Sequence, residues 1–336
     1  MSISEEAKQY LANLVGHLSS KANFVIDADT HITDTSKLPE DIDKQYKETL
    51  NYYHGRPISA EDLIAEMDMS DVDMALSWQN PATTPYGDDL DDNFDSLMAA
   101  NRYIYEVSRN YPERFIPAGW TDPKAVGIDN ALKVVEICVR EFGFPVVKMN
   151  PAQNSYPITS DDVITIAKRI TDYGAVTAFH YGADTPFTPA AGLEAVAQKL
   201  PEGKFLGVHM GGGGAGYVRA EKIYLQTREM GLRSPNVHFI MSAKRDTHIE
   251  SDLIVYQQAG LPYSANISCA SDAPYGRISW NFGGYRSMFQ TLQNKTLHPD
   301  ARISSGEVVF DEESIAGYMG NNFARLIRDT CTKMLS

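Results

Sequence analysis

The chain has 336 residues, 43% of them hydrophobic and 22% charged, with 30 Lys+Arg against 44 Asp+Glu for a formal charge of -14. That is an ordinary globular composition, long enough to bury a sizeable core without disulfides or a structural metal. A chain this acidic repels nucleic acid and anionic membranes, so the expected partner is a small molecule, with local basic residues left to attract an anionic one.

The N-terminal stretch carries Glu5, Glu6, Lys8 and His17 and lacks a long apolar run, so it reads as neither a signal peptide nor a membrane anchor. Leu11, Leu14, Val15 and Leu18 recur at helical spacing, which predicts an amphipathic helical extension over 1–23 that docks on a main domain over 24–336. Three widely spaced cysteines, Cys138, Cys269 and Cys331, argue against a disulfide framework and fit a reducing, cytoplasmic compartment.

From Phe24 onward short apolar runs alternate with helical patterns. Phe24-Val25-Ile26 enters a first strand ending in Asp27-Ala28-Asp29-Thr30-His31, followed by a long polar connection over 33–59. Ser59 is placed to cap a helix whose first turn holds Glu61 and Asp62. Later strands are expected at 72–78, 115–120, 145–149, 175–180, 204–209, 236–241 and 267–272, with helices near 99–109, 125–141, 161–172, 190–199, 218–230 and 249–259. Two further helical patterns, 281–293 and 312–335, close the chain. Eight strand–helix units without an internal linker favour a single α/β domain, a (β/α)8 TIM barrel with an N-terminal helical extension and C-terminal helices. An open doubly wound sheet competes, but no G-x-G-x-x-G marks an early strand–helix turn.

In such a barrel, chemistry sits at the C-terminal ends of the strands. Asp29 and His31 fall there on strand one, Lys148 on four, His180 on five, His209 on six and Asp272 on eight. Residues two apart on a strand face the same way, so Asp29 and His31 offer an oxygen and an imidazole to one point. His and Asp are donors for a hard-to-borderline divalent ion. Each of them alone is explained as well by capping a helix or bonding a loop carbonyl; several at matching strand ends are harder to explain so.

Several motifs together resemble the amidohydrolase superfamily, in particular the amidohydrolase-2 branch that includes aminocarboxymuconate-semialdehyde decarboxylase and the resorcylate-type decarboxylases. They are Ile26 to His31, Asn101 to Phe115, Val147-Lys148-Met149-Asn150-Pro151, Phe179-His180, Gly207 to Gly212 and Ser271 to Gly276. The resemblance implies one divalent ion held by Asp29, His31, His180 and Asp272, with Zn²⁺ expected and Mn²⁺ the alternative. It puts His209 beside the ion and outside its ligand set, where His209 and Asp272 would move protons. Many relatives carry His-x-His on strand one; Asp29 replaces the first of these, as in some decarboxylases of the branch, and an anionic ligand there reduces the Lewis acidity of the metal. The branch is mononuclear, so the resemblance argues against Lys148 as a bridging ligand, and an ion pair beneath the site is the other reading of it.

Arg245 and His248 lie just past strand seven and Arg277 just past strand eight, where a guanidinium could clamp a substrate carboxylate or simply pair with a loop acid. Trp78, Trp120 and Tyr275 fall at strand ends and could wall a flat substrate, or could be plain packing. His54 lies in the long first connection, within possible reach of the mouth, and the run Gly211 to Gly214 lacks the Lys-Ser/Thr of a phosphate loop.

The leading expectation is a metal-dependent, non-hydrolytic decarboxylase, a carbon–carbon lyase acting on a small unsaturated or aromatic carboxylic acid. The alternative is a metal-dependent hydrolase of an ester, lactone or amide, in which a bound water has its pKa lowered towards ~7. A catalytically inactive barrel acting as a binding protein is the third reading. Relatives are often dimers and the terminal helices have spare apolar faces, so a homodimer is expected.

Overall fold

Eight strands lie parallel in one sheet in the order of the sequence: β1 (Ile26–Ile32), β2 (Met74–Gln79), β3 (Phe115–Trp120), β4 (Val146–Met149), β5 (Val176–His180), β6 (Lys204–Val208), β7 (Val237–Met241) and β8 (Ile267–Cys269). The computed structural model describes residues 3–48, 55–183, 185–212, 221–244, 246–296 and 298–336. Every residue of the strands is buried except Lys204, as expected of parallel strands covered on both faces. The sheet curls into a TIM barrel with helices around it. Its seam between β1 and β8 closes at the C-terminal end, where Asp272 N donates to Asp29 O (3.0 Å) and His31 N donates to Ala273 O (2.6 Å). The seam and the candidate site are therefore one place.

The N-terminal helix Glu5–Leu18 starts as its sequence suggests, with Ser4 Oγ accepting from Ala7 N, and buries Leu11, Leu14 and Leu18. It packs on the C-terminal helix Asn322–Leu335. Ser59 accepts from Asp62 N and caps Ala60–Met69, also as read.

Three segments differ from the sequence reading. The connection over 33–59 contains a helix, Glu40–Glu48, that buries no side chain and so left no apolar periodicity to detect. The helix expected over 125–141 is broken at Gly127, which takes φ +77, and ends in a π turn at Ile137–Glu141. The eighth strand stops at Cys269, not Asp272, because the chain turns at Asp272 (φ +61) to make the seam. The helix read over 218–230 is described from Glu221 to Gly231.

The three cysteines are free and buried. No helix among the described residues is long and apolar enough to cross a membrane.

One histidine of the barrel wall gives the fold a pH dependence. His238 is buried on β7 with Nε2 2.9 Å from Ser268 Oγ, and burial pushes its pKa down to about 3, with Arg325 and Lys204 adding to the shift. It stays neutral in the folded chain while the unfolded chain protonates near the ordinary value of about 6.5. Its contribution is therefore full above that value and is lost as the pH falls toward 3. Between pH 7 and 5 this amounts to about 2 kcal/mol. Urea unfolding of His238→Gln is expected to depend less on pH by that amount over the same interval.

Candidate functional site

The site begins with an irregularity. Along β1 the register with β2 slips by one residue between Asp27 and Thr30, a bulge at the point where Asp29 is presented. Asp29 is fully buried and held at both oxygens: Trp78 Nε1 donates to Oδ1 (3.0 Å) and Ser242 Oγ donates to Oδ2 (2.6 Å). His31 is fixed by Nδ1, which donates to the carbonyl oxygen of Gln79 at 2.7 Å. That bond fixes the ring and turns Nε2 toward the two carboxylates. Nε2 lies 3.5 Å from Asp272 Oδ1 and 3.9 Å from Asp29 Oδ1.

Asp29, His31 and Asp272 thus converge, each with one donor atom inside a group spanning 4.8 Å. Burial, and next Asp29, push the Asp272 carboxyl above the usual range, while His31 and Lys148 pull it down. Asp27, one turn of the pleat below, accepts from Ser271 N, Ser271 Oγ and Asp29 N; burial outweighs these bonds and pushes it to about 8. Two carboxylates side by side are costly to enclose without a compensating cation. The donor set and its spacing fit a divalent ion.

A protein cation also stands there. Lys148 on β4 is fully buried, with Nζ 3.7 Å from Asp29 Oδ1, too long for a hydrogen bond, and it makes none. The ammonium lies 3.8 Å from the ring centre of Trp78 and 4.9 Å from that of Trp120. Burial holds its pKa below the usual lysine value, against the pull of Asp29 and Asp272. Trp120 Nε1 is likewise buried and unbonded.

His180 and His209 form a second group next to the first. Their rings meet edge to face at 4.5 Å, with His209 Nε2 3.3 Å from His180 Nδ1. His209 Nδ1 lies 2.8 Å from Ser242 Oγ and 3.7 Å from Asp29 Oδ2, which ties this pair to the trio. Burial drives His209 well below the ordinary histidine value, and Lys148 and His31 lower it further, so it stays neutral. The backbone is left-handed at His209 (φ +72), Met210 (φ +46), Ala243 (φ +49) and Asp272 (φ +61). Four such non-glycine residues at the ends of β6, β7 and β8, each costing about 1–3 kcal/mol, mark where side-chain placement takes precedence over backbone comfort.

The remaining residues singled out by sequence divide. Trp120 and Tyr275 both face His31, with ring centres 6.1 and 5.5 Å away, and Tyr275 Oη donates to Asn80 Oδ1 at 2.8 Å. His248 packs on Tyr224 (4.3 Å), and Arg277 lies over Trp280 (5.7 Å) beside a cavity of about 480 Å³ bordered by Tyr46 and Arg56. Neither of these contacts involves the trio. Arg245, His54, Gly213 and Gly214 lie outside the described residues. Sequence reasoning missed Ser242, whose one available signal was its place directly after β7.

The family model described as amidohydrolase matches residues 26–278. Among solved structures, 5-carboxyvanillate decarboxylase from Novosphingobium aromaticivorans, complexed with manganese and 4-hydroxy-3-methoxy-5-nitrobenzoic acid, is similar at 15% identity and TM-score 0.65, over 91% of this chain and 96% of that one. 2,6-Dihydroxybenzoate decarboxylase complexed with 2,6-dihydroxybenzoate is similar at 13% identity and TM-score 0.62, over 91% and 99%. 4-Oxalomesaconate hydratase from Rhodopseudomonas palustris is similar at 17% identity and TM-score 0.56, over 92% and 97%. No curated protein sequence matches the chain. The family match spans all eight strands and the whole of the converging trio, and on it this chain is an enzyme of the amidohydrolase family.

Proposed function

We propose that this enzyme is a carboxy-lyase that uses one divalent metal ion to release CO2 from a small aromatic or unsaturated carboxylic acid. The observation that carries the reading is the convergence of the buried carboxylate of Asp29 and the partly buried one of Asp272 with Nε2 of His31 inside 4.8 Å. The similar folds of two decarboxylases, one solved with manganese and both with an aromatic acid, support it. Asp29, His31 and Asp272 would hold the ion, with His180 as a further donor. An oxygen-rich set of this kind suits Mn²⁺ at least as well as Zn²⁺, and the manganese bound by a structural relative supports Mn²⁺ as the first choice. When bound, the ion would supply positive charge to a substrate carboxylate and a neighbouring oxygen.

The chain's own residues then have separate tasks. Trp120 and Tyr275 border His31 and would hold a flat ring against the mouth of the barrel. Lys148, with N–H groups that no protein atom accepts, would add positive charge beneath the reacting group. Decarboxylation requires a proton at the carbon that bears the carboxylate. The carbon–carbon bond then breaks, its electron pair stays with the ring, and CO2 leaves. Asp272 is the better proton carrier: both ring nitrogens of His209 already face protein partners, Nδ1 the Ser242 hydroxyl and Nε2 the His180 ring.

The test is CO2 release from 2,6-dihydroxybenzoate and 5-carboxyvanillate, run beside a pH-stat assay on lactones and esters. Release of one CO2 per acid consumed is expected; lactone turnover without CO2 would establish the hydrolase instead. Removing metal with a chelator is expected to lower the rate about 100-fold or more, with recovery on adding Mn²⁺, as befits several kcal/mol of lost charge stabilisation. Undiminished activity at full metal depletion would overturn metal dependence.

A further inference from the structure

The geometry points to a second binding site, behind β1 and β2, for an uncharged flat molecule that presents an N–H and a C=O side by side, as a primary carboxamide does. The site goes beyond the carboxy-lyase reading and needs no metal.

The observation is the side chain of Gln79, the last residue of β2. It is 2% exposed, and neither its Nε2 nor its Oε1 has a hydrogen-bond partner. Buried amides are as a rule satisfied, so one unbonded at both ends calls for a reason. Its direction follows from strand alternation. Trp78 points into the barrel, where its Nε1 donates to Asp29, so Gln79 leaves the opposite face beside Ile32, its partner in register on β1. That face looks onto the helix Leu90–Asn110. Between them lies a cavity of about 350 Å³, lined by Gln79, Ile32 and, from the helix, Ala99, Ala100 and Tyr103, with part of the segment 33–39 along its edge. Small-molecule sites span roughly 300–1,000 Å³ and are mostly apolar with a few placed polar groups, which describes this one.

The lining also says what kind of molecule fits. Its two charged side chains, Asp34 and Lys37, pair with each other at 2.8 Å. Burial pushes the Tyr103 hydroxyl up to about 12, so it is neutral, and it accepts from Ala60 N. Asn80 is committed: its Oδ1 accepts from Ala82 N and Tyr275 Oη, and its Nδ2 donates to Gly55 O. The cavity thus holds no unbalanced charge for an ion. Among the lining residues, Gln79 is the one with buried unbonded polar atoms, a donor and an acceptor in one plane. A carboxamide answers both with parallel bonds, Nε2–H to the ligand oxygen and ligand N–H to Oε1. A carboxylate offers only acceptors, and a ketone leaves Oε1 unbonded. The last torsion of glutamine is broad, so the amide can turn to a ligand without moving the strand. The backbone of the same residue faces the other way in function, its carbonyl anchoring His31.

The experiment titrates benzamide into the full chain, read by calorimetry and by ¹H–¹⁵N NMR of side-chain amides, with acetophenone and benzoate as comparisons of similar shape. Benzamide is expected to bind saturably, at least about 10-fold more tightly than either comparison. It is expected to shift the Gln79 amide signal, identified by its absence in Gln79→Leu. That variant is expected to lose the preference, with benzamide within about twofold of acetophenone. Ala100→Phe, which fills the cavity and keeps the amide, is expected to abolish benzamide binding. Because no group of the fold uses the amide, Gln79→Leu is expected to melt no lower than wild type; a lower melting temperature would assign the amide to the fold and overturn the proposal. No saturable binding to wild type, no preference over acetophenone, or a preference unchanged in Gln79→Leu would each overturn it as well. None of these readouts involves turnover, so a failure to observe CO2 release would leave the site standing.

Discussion

Asp272→Asn is expected to reduce CO2 release by about 10³-fold or more while leaving the barrel folded. The side chain is nearly isosteric, and the backbone bonds that make the seam, Asp272 N to Asp29 O and His31 N to Ala273 O, do not involve the carboxylate. What changes is the chemistry. The oxygen that stands 3.5 Å from His31 Nε2 loses its charge, and the group best placed to carry a proton loses the ability to do so. Both losses act on the reacting complex, so the effect belongs in kcat more than in KM. Steady-state CO2 release read beside a thermal melt checks it. Activity within tenfold of wild type, with an unchanged melt, would remove Asp272 from the chemistry.

Lys148→Met is expected to be the second most damaging change, for a different reason. Methionine matches the length of the buried stem and suits the two indole faces, so packing survives. The charge does not. Asp29 and Asp272 lose the ammonium that lies 3.7 Å from Asp29, and removing one partner of a buried ion pair costs about 3–5 kcal/mol. A divalent ion would replace that cation. Urea unfolding should therefore show a large loss of stability in metal-free protein, and a larger gain on adding Mn²⁺ than the wild type shows. A variant as stable as wild type without metal would mean that the desolvation cost of the buried ammonium equals its pairing energy, and that Lys148 is retained for function alone.

The two predictions separate roles that the sequence presents alike. In the sequence Asp29, His31, Lys148, His180, His209 and Asp272 are polar residues at the ends of apolar runs. In the structure three of them converge, two pair edge to face beside these, and one is a buried cation against two tryptophans. Strand-end position is local information, so the list could be drawn up from the sequence. The division within it depends on strand neighbours in space, with β1 meeting β8 across the seam and β5 meeting β6.

The polar segment 40–48 shows the limit in the other direction. Its helix buries nothing, and a helix without a buried face carries no periodic apolar signal. Ser242 shows it again at the scale of one residue. A serine after a strand has no distinguishing neighbour in sequence, and its part in the site comes from residues about 30 and more than 200 positions away.

The sequence by itself determined the barrel, because eight buried parallel strands need eight apolar runs and each run is a local fact. It determined which residues stand at the barrel mouth, because that follows from where each run ends. The tertiary structure decided how they work together: which nitrogen His31 presents, which oxygens hold Asp29, and where the charge of Lys148 rests. Those are set by hydrogen bonds and ion pairs between strands far apart in the chain, and a directional bond has no trace in the sequence of either partner.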